Sequence, residues 1–259
     1  MIGAASKREQ VKDFWNGRAA FQALAGTNDF TAKRLEHDTL LKHIRDGQRV
    51  LEIGCGNGLL SVEMAERFDV QIDAFDFAAE MIADATQRAT SASLKGRIAF
   101  DVRDVRDDAM PDGNYDIAIT ERVIINLLSW EEQADAIAKI LRHLKPGGRF
   151  LMCENSALGL ARINELRALC GLDAVVAPWH NRYLDDAEVA ALVIPGVELV
   201  EVVSYSATYY FVSRVVNAWN AKMTNTEISY ESPINQLGLI LPAIGDTAQG
   251  KLWIFERRG

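Results

Sequence analysis

The 259-residue chain is long enough for one sizeable hydrophobic core, and a hydrophobic fraction of 49% beside a charged fraction of 25% is that of a globular protein rather than a disordered one. A formal charge of -8 excludes the broad basic footprint that general nucleic-acid binding needs, although not a local basic patch. Cys55, Cys153 and Cys170 are too few and too irregular for a disulfide framework or a zinc site, no apolar run reaches membrane-spanning length, and "MIGAASKREQ" lacks a signal-peptide core, so a reduced, cytoplasmic setting is expected.

Residues 6–46 read as helical. In "VKDFWNGRAAFQAL" the apolar residues Val11, Phe14, Trp15 and Phe21 recur at close to helical spacing. A second helix is expected from about 29 to 45, with Leu35, Leu40, Leu41 and Ile44 as its buried stripe, and "DGQ" ends it. The rhythm then changes to short strands alternating with helices. "RVLEIG", "VQIDAFD", "RIAFDVRD", "YDIAIT" and "RFLMCEN" read as strands. "LLSVEMAERF", "AAEMIADATQRA" and "WEEQADAIAKILRHL" read as helices, and "KPGG" reads as a turn. Such alternation predicts βαβ units around a parallel sheet, with right-handed crossovers placing helices on both faces. After Asn155 the pattern loosens. A helix over about 158–170, the loop "APWHNRYLDD", a strand "VELVEVVSY", a helix or strand-helix junction "YYFVSRVVNAWNA" and a final strand "KLWIFERR" are expected.

"VLEIGCGNG" holds Gly54, Gly56 and Gly58 at alternate positions directly after the first strand. Glycine there lets the backbone turn sharply and approach a ligand at the carboxyl end of a parallel sheet. The spacing is not the dinucleotide fingerprint, because Leu59 stands where its third glycine belongs. Glu52 enters the loop as an acidic residue, which repels a pyrophosphate and suits a ligand carrying an ammonium group.

"VLEIGCGNG" resembles motif I of the class I S-adenosylmethionine (SAM)-dependent methyltransferases. "AFDFAAEMI", "VRDV", "YDIAITERVIINL" and "ILRHLKPGGRFLM" resemble the later motifs of the same family in the same order. The resemblance implies an α/β fold: a Rossmann-like, doubly wound, mostly parallel seven-stranded sheet. It implies one domain over 1–259, with a helical cap over 1–46, a cofactor-binding core over 47–155 and a substrate-side insertion with the final strands over 156–259. It also implies SAM as cofactor, with S-adenosylhomocysteine (SAH) as product. Glu52, Gly54, Cys55, Gly56, Asn57 and Gly58 would hold it from the loop. Asp76 would take the ribose hydroxyls, with Phe77 and Met81 beside the adenine. Asp104 and Val105 would take the adenine edge, and Glu121 the junction with the acceptor. Asp73 competes with Asp76 for the ribose. "FWNGRA" resembles an N-terminal segment of the family's small-molecule members, so Trp15 and Arg18 would cover the cofactor. The competing reading makes Trp15 core and Arg18 a solvated helix residue.

The fourth strand ends in "TER", not in the Asn/Asp-Pro-Pro-Tyr signature of the family's amino-directed nucleic-acid enzymes. A small-molecule acceptor is therefore expected, without nucleic acid or membrane, on a monomer or homodimer. Methyl transfer to oxygen is expected, either to a hydroxyl, which needs a base near the methyl, or to a carboxylate, which needs none. His37, His43 and His143 fall in helical patterns and read as surface or core-edge residues. His180, in the polar-aromatic loop, is the candidate base, with Asn181, Arg182 and Tyr183 framing the acceptor. Its competing reading is a loop packed by Trp179, with His180 hydrogen-bonded to backbone. Arg122 and Asn126 follow the fourth strand toward the acceptor, or Arg122 is structural. Tyr209, Tyr210 and Arg214 would line the far wall, or form core with a surface arginine. Several arginines in an acidic chain point to an anionic or sugar-like acceptor. No residue set suggests a metal. Transfer to nitrogen or carbon, a nicotinamide-dependent dehydrogenase and a non-catalytic partner subunit are the alternatives.

Overall fold

In the computed structural model, residues 4–21, 26–107, 110–111 and 113–259 are described. The first helix, α1 (Ala4–Ala19), ends before "FQAL", of which residues 22–24 lie outside the described residues. The second, α2 (Phe30–Leu41), starts on Asp29, whose carboxylate accepts the Ala32 N–H at 2.9 Å. This cap satisfies one of the amides that every helix start leaves open.

The strands β1 (Arg49–Ile53), β2 (Gln71–Asp76), β3 (Arg97–Val102), β4 (Tyr115–Glu121), β5 (Leu144–Asn155), β6 (Val197–Val203) and β7 (Gly250–Arg257) form one sheet in the order β3-β2-β1-β4-β5-β7-β6. The first five run parallel, and β7 lies antiparallel between β5 and β6. The crossovers are α3 (Leu59–Arg67), α4 (Ala79–Thr90) and α5 (Trp130–Arg142). Ser129 caps α5 by accepting the Glu132 N–H at 3.2 Å, and Glu131 with Glu132 in its first turn complement the helix dipole.

Successive strand residues point to opposite faces. Leu51, Ile53, Phe75, Phe150 and Trp253 therefore pack one buried cluster, and Val50, Ile72, Leu151, Leu252 and Ile254 another. Burial on both faces explains why these strands read as continuous apolar runs.

Three local expectations change. "KPGG" is not a free turn: it lies inside β5, where the pairing with β4 slips between Tyr115 and Ile117 and Gly147 takes φ +78°. The bulge absorbs the extra residues without ending the strand. The loop after Asn155 contains α6 (Ala157–Leu169) and a short unforeseen helix, α7 (Asp186–Ala190), capped by Asp185. "YYFVSRVVNAWNA" is helical throughout: α8 (Ala207–Tyr210) runs through a π-helical segment (Phe211–Val216) into α9 (Asn217–Thr224). Among the described residues, no helix is long and apolar enough to cross a membrane.

Candidate active site

The strand order reverses between β1 and β4, and ligand crevices of open α/β sheets form at that point, outside the carboxyl ends of the strands. A cavity of about 540 Å³ lies there, walled by the loop after β1, the ends of β2 and β4, α1, the 175–183 loop and the α8 region.

The glycine loop is positioned by β2. Gly54 and Cys55 N–H groups both donate to the Phe75 carbonyl, at 2.7 and 3.0 Å, and the Gly56 N–H donates to Asp76 at 3.0 Å. The three glycines have positive φ for different reasons. A Cβ on Gly54 would fall 2.3 Å from Val123, and one on Gly58 would fall 2.9 Å from Ala85. A Cβ on Gly56 (φ +53°) would meet nothing within 4 Å. Gly56 thus opens onto space, whereas Gly54 and Gly58 are fixed by packing.

Two buried carboxyls flank that space. Glu52 accepts the Ser61 hydroxyl at 2.5 Å, and burial pushes its pKa up to about 7. Asp76 also accepts the Ala78 N–H at 2.8 Å, and burial pushes its pKa up to about 6. Asp73 is excluded from the cavity: its carboxylate is held by Arg49 at 3.0 Å and by the Tyr115 hydroxyl at 2.7 Å. Cys55, Asn57, Phe77, Met81 and Val105 line the same cavity. Asp104 lines it too, but its carboxylate already receives Arg106 at 2.7 Å and Arg8 of α1 at 2.8 Å.

Below the junction lies a buried charge network that the sequence reading missed. Lys33 donates to Glu121 at 2.6 Å, and His37 sits 3.5 Å from the same carboxylate and 2.6 Å from Glu63. Burial opposes the charge on His37, but Glu121 and Glu63 outweigh it and raise its pKa to about 9. Burial likewise opposes ionisation of Glu121, yet Lys33 and His37 hold it well below the usual carboxylate range. Glu36, 3.3 Å from Arg122, is pushed up by burial. Helical spacing on α2 places Lys33, Glu36 and His37 on one face, which was the available signal. Arg122 itself has φ +57°, a strained conformation for a non-glycine residue, and donates to the Gly26 carbonyl at 3.1 Å.

In the 175–183 loop, His180 is 8% exposed and lies between aromatic rings, its ring centroid 4.3 Å from that of Phe14, 5.7 Å from Trp15 and 5.3 Å from Trp179. Burial, and then the charge of Arg18, lowers its pKa and so favours the neutral ring. Trp179 touches the ring edge-on but is 59% exposed, and His180 Nδ1 is buried without a hydrogen-bond partner among the described residues, so the backbone-bonded loop of the competing reading is not what forms; His180 lines the cavity instead. Trp15, Arg18, Asn126, Asn181, Tyr183, Tyr210 and Arg214 line it as well. Asn126 is engaged: it accepts the Trp15 indole N–H at 3.2 Å and donates to the Arg122 carbonyl at 2.8 Å. Arg214 is buried against Asp29 at 2.8 Å and stacks between Tyr210 and Tyr230.

Three expected site residues lie outside the cavity wall. Gly58 turns into α3 against Ala85. Tyr209 faces the core and donates to Asp29 at 2.5 Å. Arg182 points away, held by Gln133 at 2.6 Å and Glu188 at 2.7 Å. Arg182→Ala should therefore lower the melting temperature without moving the Michaelis constant of any acceptor. A raised Michaelis constant with unchanged melting would contradict that placement.

Residues 50–148 match the sequence model of a family described as "Methyltransferase domain". "Phosphoethanolamine N-methyltransferase 1" of Arabidopsis thaliana is 27% identical over 67% of this chain and 33% of its own length. "27-O-demethylrifamycin SV methyltransferase" of Amycolatopsis mediterranei is 29% identical over 42% of this chain and 39% of its own. The chain thus spans little more than a third of the length of these relatives. The N-methyltransferase NodS from Bradyrhizobium japonicum, solved with S-adenosyl-L-homocysteine, superposes with a TM-score of 0.53 at 16% identity, covering 87% of each chain.

Proposed function

We propose, from the premise that this chain belongs to the class I, Rossmann-like methyltransferases, that it binds SAM at the carboxyl ends of β1 and β2 and transfers the methyl group to a hydroxyl of a small molecule. The observation that carries this reading is the open side of Gly56 between the buried carboxyls of Glu52 and Asp76. A bulky cofactor with an ammonium group at one end and ribose hydroxyls toward the other fits that donor set. Glu52 would face the ammonium group, because an adjacent cation stabilises its ionised form. Asp76 would accept the ribose hydroxyls with the lone pairs that the Gly56 and Ala78 amides leave free.

SAM bound there would supply an electrophilic methyl, with the S–CH₃ electrons returning to sulfur as the acceptor oxygen is methylated, and a hydroxyl acceptor would have to give up its proton to a base of this chain. His180, on the cavity wall and with its neutral form favoured, is the group proposed to take that proton. Phe14, Trp15 and Trp179 contact its ring and would orient it. The likeness to a phosphoethanolamine N-methyltransferase favours nitrogen as the second reading of the acceptor atom.

Calorimetric titration with SAM, SAH and, as a control, NAD tests the reading. Binding of SAM and SAH is expected, and binding of NAD alone would overturn it in favour of a dehydrogenase. Binding of SAM without methyl transfer to any class of acceptor would favour a non-catalytic partner subunit. Asp76→Ala should weaken SAM binding by about 1.5–3 kcal/mol, the range for hydrogen bonds to a charged group, and Asp73→Ala by much less. Because the Asp76 pKa is raised to about 6, wild-type affinity should fall as pH drops through that value and the carboxylate is protonated. Equal losses in the two variants would refute the assignment.

A further inference from the structure

We propose that the acceptor lobe of the cavity selects a neutral, hydroxyl-rich molecule and holds it through Asn155, Tyr183 and Gln249. The inference rests on the methyl-transfer reading above and adds the class of acceptor.

Asn155 is the last residue of β5, and Gln249 immediately precedes β7. The two strands are antiparallel, and Asn155 pairs with Gly250, so both carboxamides arrive side by side at one end of the sheet. The Ser156 N–H donates to the Gln249 carbonyl at 2.7 Å, and the Leu184 N–H donates to the Asn155 carbonyl at 2.9 Å. The second bond seats Tyr183 beside the pair, where its hydroxyl accepts Gln249 Nε2 at 3.3 Å. Asn155 and Gln249 are each only 6% exposed, and all three side chains line the cavity.

Among the described residues, Asn155 Oδ1 and Gln249 Oε1 are buried without a hydrogen-bond partner, as is Asn181 Oδ1 on the same wall. Buried polar atoms are ordinarily satisfied, so a cluster of open ones marks places that a ligand completes. Each carboxamide carries both a donor and an acceptor, and the phenol retains its own proton to donate. A hydroxyl group, which also donates and accepts, matches this set whichever way each amide is turned.

Charged acceptors match it less well. Arg122 and Arg214 stand on the same cavity wall beside Asp29, Glu36 and Glu121, so a cation, like an anion, would have to compete with ion pairs already formed there. Each already has a buried carboxyl partner, Glu36 for Arg122 and Asp29 for Arg214, with which an anion would have to compete. A neutral polyol needs neither arginine released.

The test is saturation-transfer NMR on the SAH-saturated full chain with three probes: myo-inositol with a set of methyl glycosides, gluconate as the anion, and glucosamine as the cation. The neutral polyols should bind more tightly than either charged probe. Asn155→Leu and Gln249→Glu should each weaken polyol binding by about tenfold. Retained SAH affinity by calorimetry would show that each variant is folded, and it reports on the methyltransferase reading separately from the acceptor. Tighter binding of gluconate or glucosamine, binding of no polyol, or unchanged polyol binding in both folded variants would overturn the proposal.

Discussion

Gly56→Val should abolish measurable SAM binding and leave a folded protein. Gly56 has φ +53°, and the space where its Cβ would project holds no protein atom within 4 Å. The Cβ of a valine there meets no atom of the described residues within 4 Å, so the main folding cost expected is the backbone strain of a β-branched residue at positive φ. That strain is on the order of 1–3 kcal/mol, within the 5–15 kcal/mol by which domains are commonly stable. The ligand would meet the whole branched side chain. A shift of the Gly56 amide, which donates to Asp76, would also disturb the carboxylate proposed to hold the ribose. Circular dichroism should match wild type, and calorimetry with SAM or SAH should show no heat of binding. Gly56→Ala should lie between the two. Near-native affinity in a folded Gly56→Val protein would mean that the cofactor does not approach this loop.

The largest effect on turnover is expected at His180. If its imidazole takes the proton of a hydroxyl acceptor, His180→Ala should lower kcat by about 10²–10⁴-fold, the usual worth of a general base. His180 also supports Phe14 and Trp15 of α1, so the alanine variant removes packing as well as a base. His180→Gln fills most of the space without a basic nitrogen and should lose nearly as much turnover. In the wild type, kcat should rise with pH as the ring loses its proton and level off at neutrality. Burial and Arg18 lower the imidazole pKa, so this limb should lie below about pH 6.5. Full turnover in both variants with a flat profile would remove His180 from the chemistry. An acceptor that is already ionised would give that result.

The parts of the site legible in the sequence are those whose chemistry is local. Gly54, Gly56, Asp76 and Glu52 stand at strand ends, where alternation gives the register and the loop follows within a few residues. Asp76 could be preferred to Asp73 because the helix begins directly after it, and Asp73 indeed faces Arg49 and Tyr115. The fold was legible for the same reason: each doubly buried strand is a short apolar run between helices. Asn155 and Gln249 escaped notice because they meet only through the antiparallel pairing of β5 with β7. Lys33 and Glu36 read as one face of an amphipathic helix, and only the docking of α2 shows that this face meets Glu121 and Arg122. Arg182 was misjudged because position in a loop does not say where a long side chain points. Tyr209 and Tyr210 are adjacent yet divergent, one turned to the core and one to the cavity, which the helical pattern left open.

The strand order divides the labour along the sheet. Glu52, the glycines and Asp76 stand at the ends of β1 and β2, on one side of the reversal point, whereas Asn155 and Gln249 stand at β5 and β7 on the other. On the reading proposed above, substitutions at Asn155 and Gln249 would retune the acceptor and leave Glu52, Gly56 and Asp76 in place. In evolutionary terms the two halves would then be separately heritable, so that a lineage could change its acceptor by single substitutions while keeping its hold on the methyl donor.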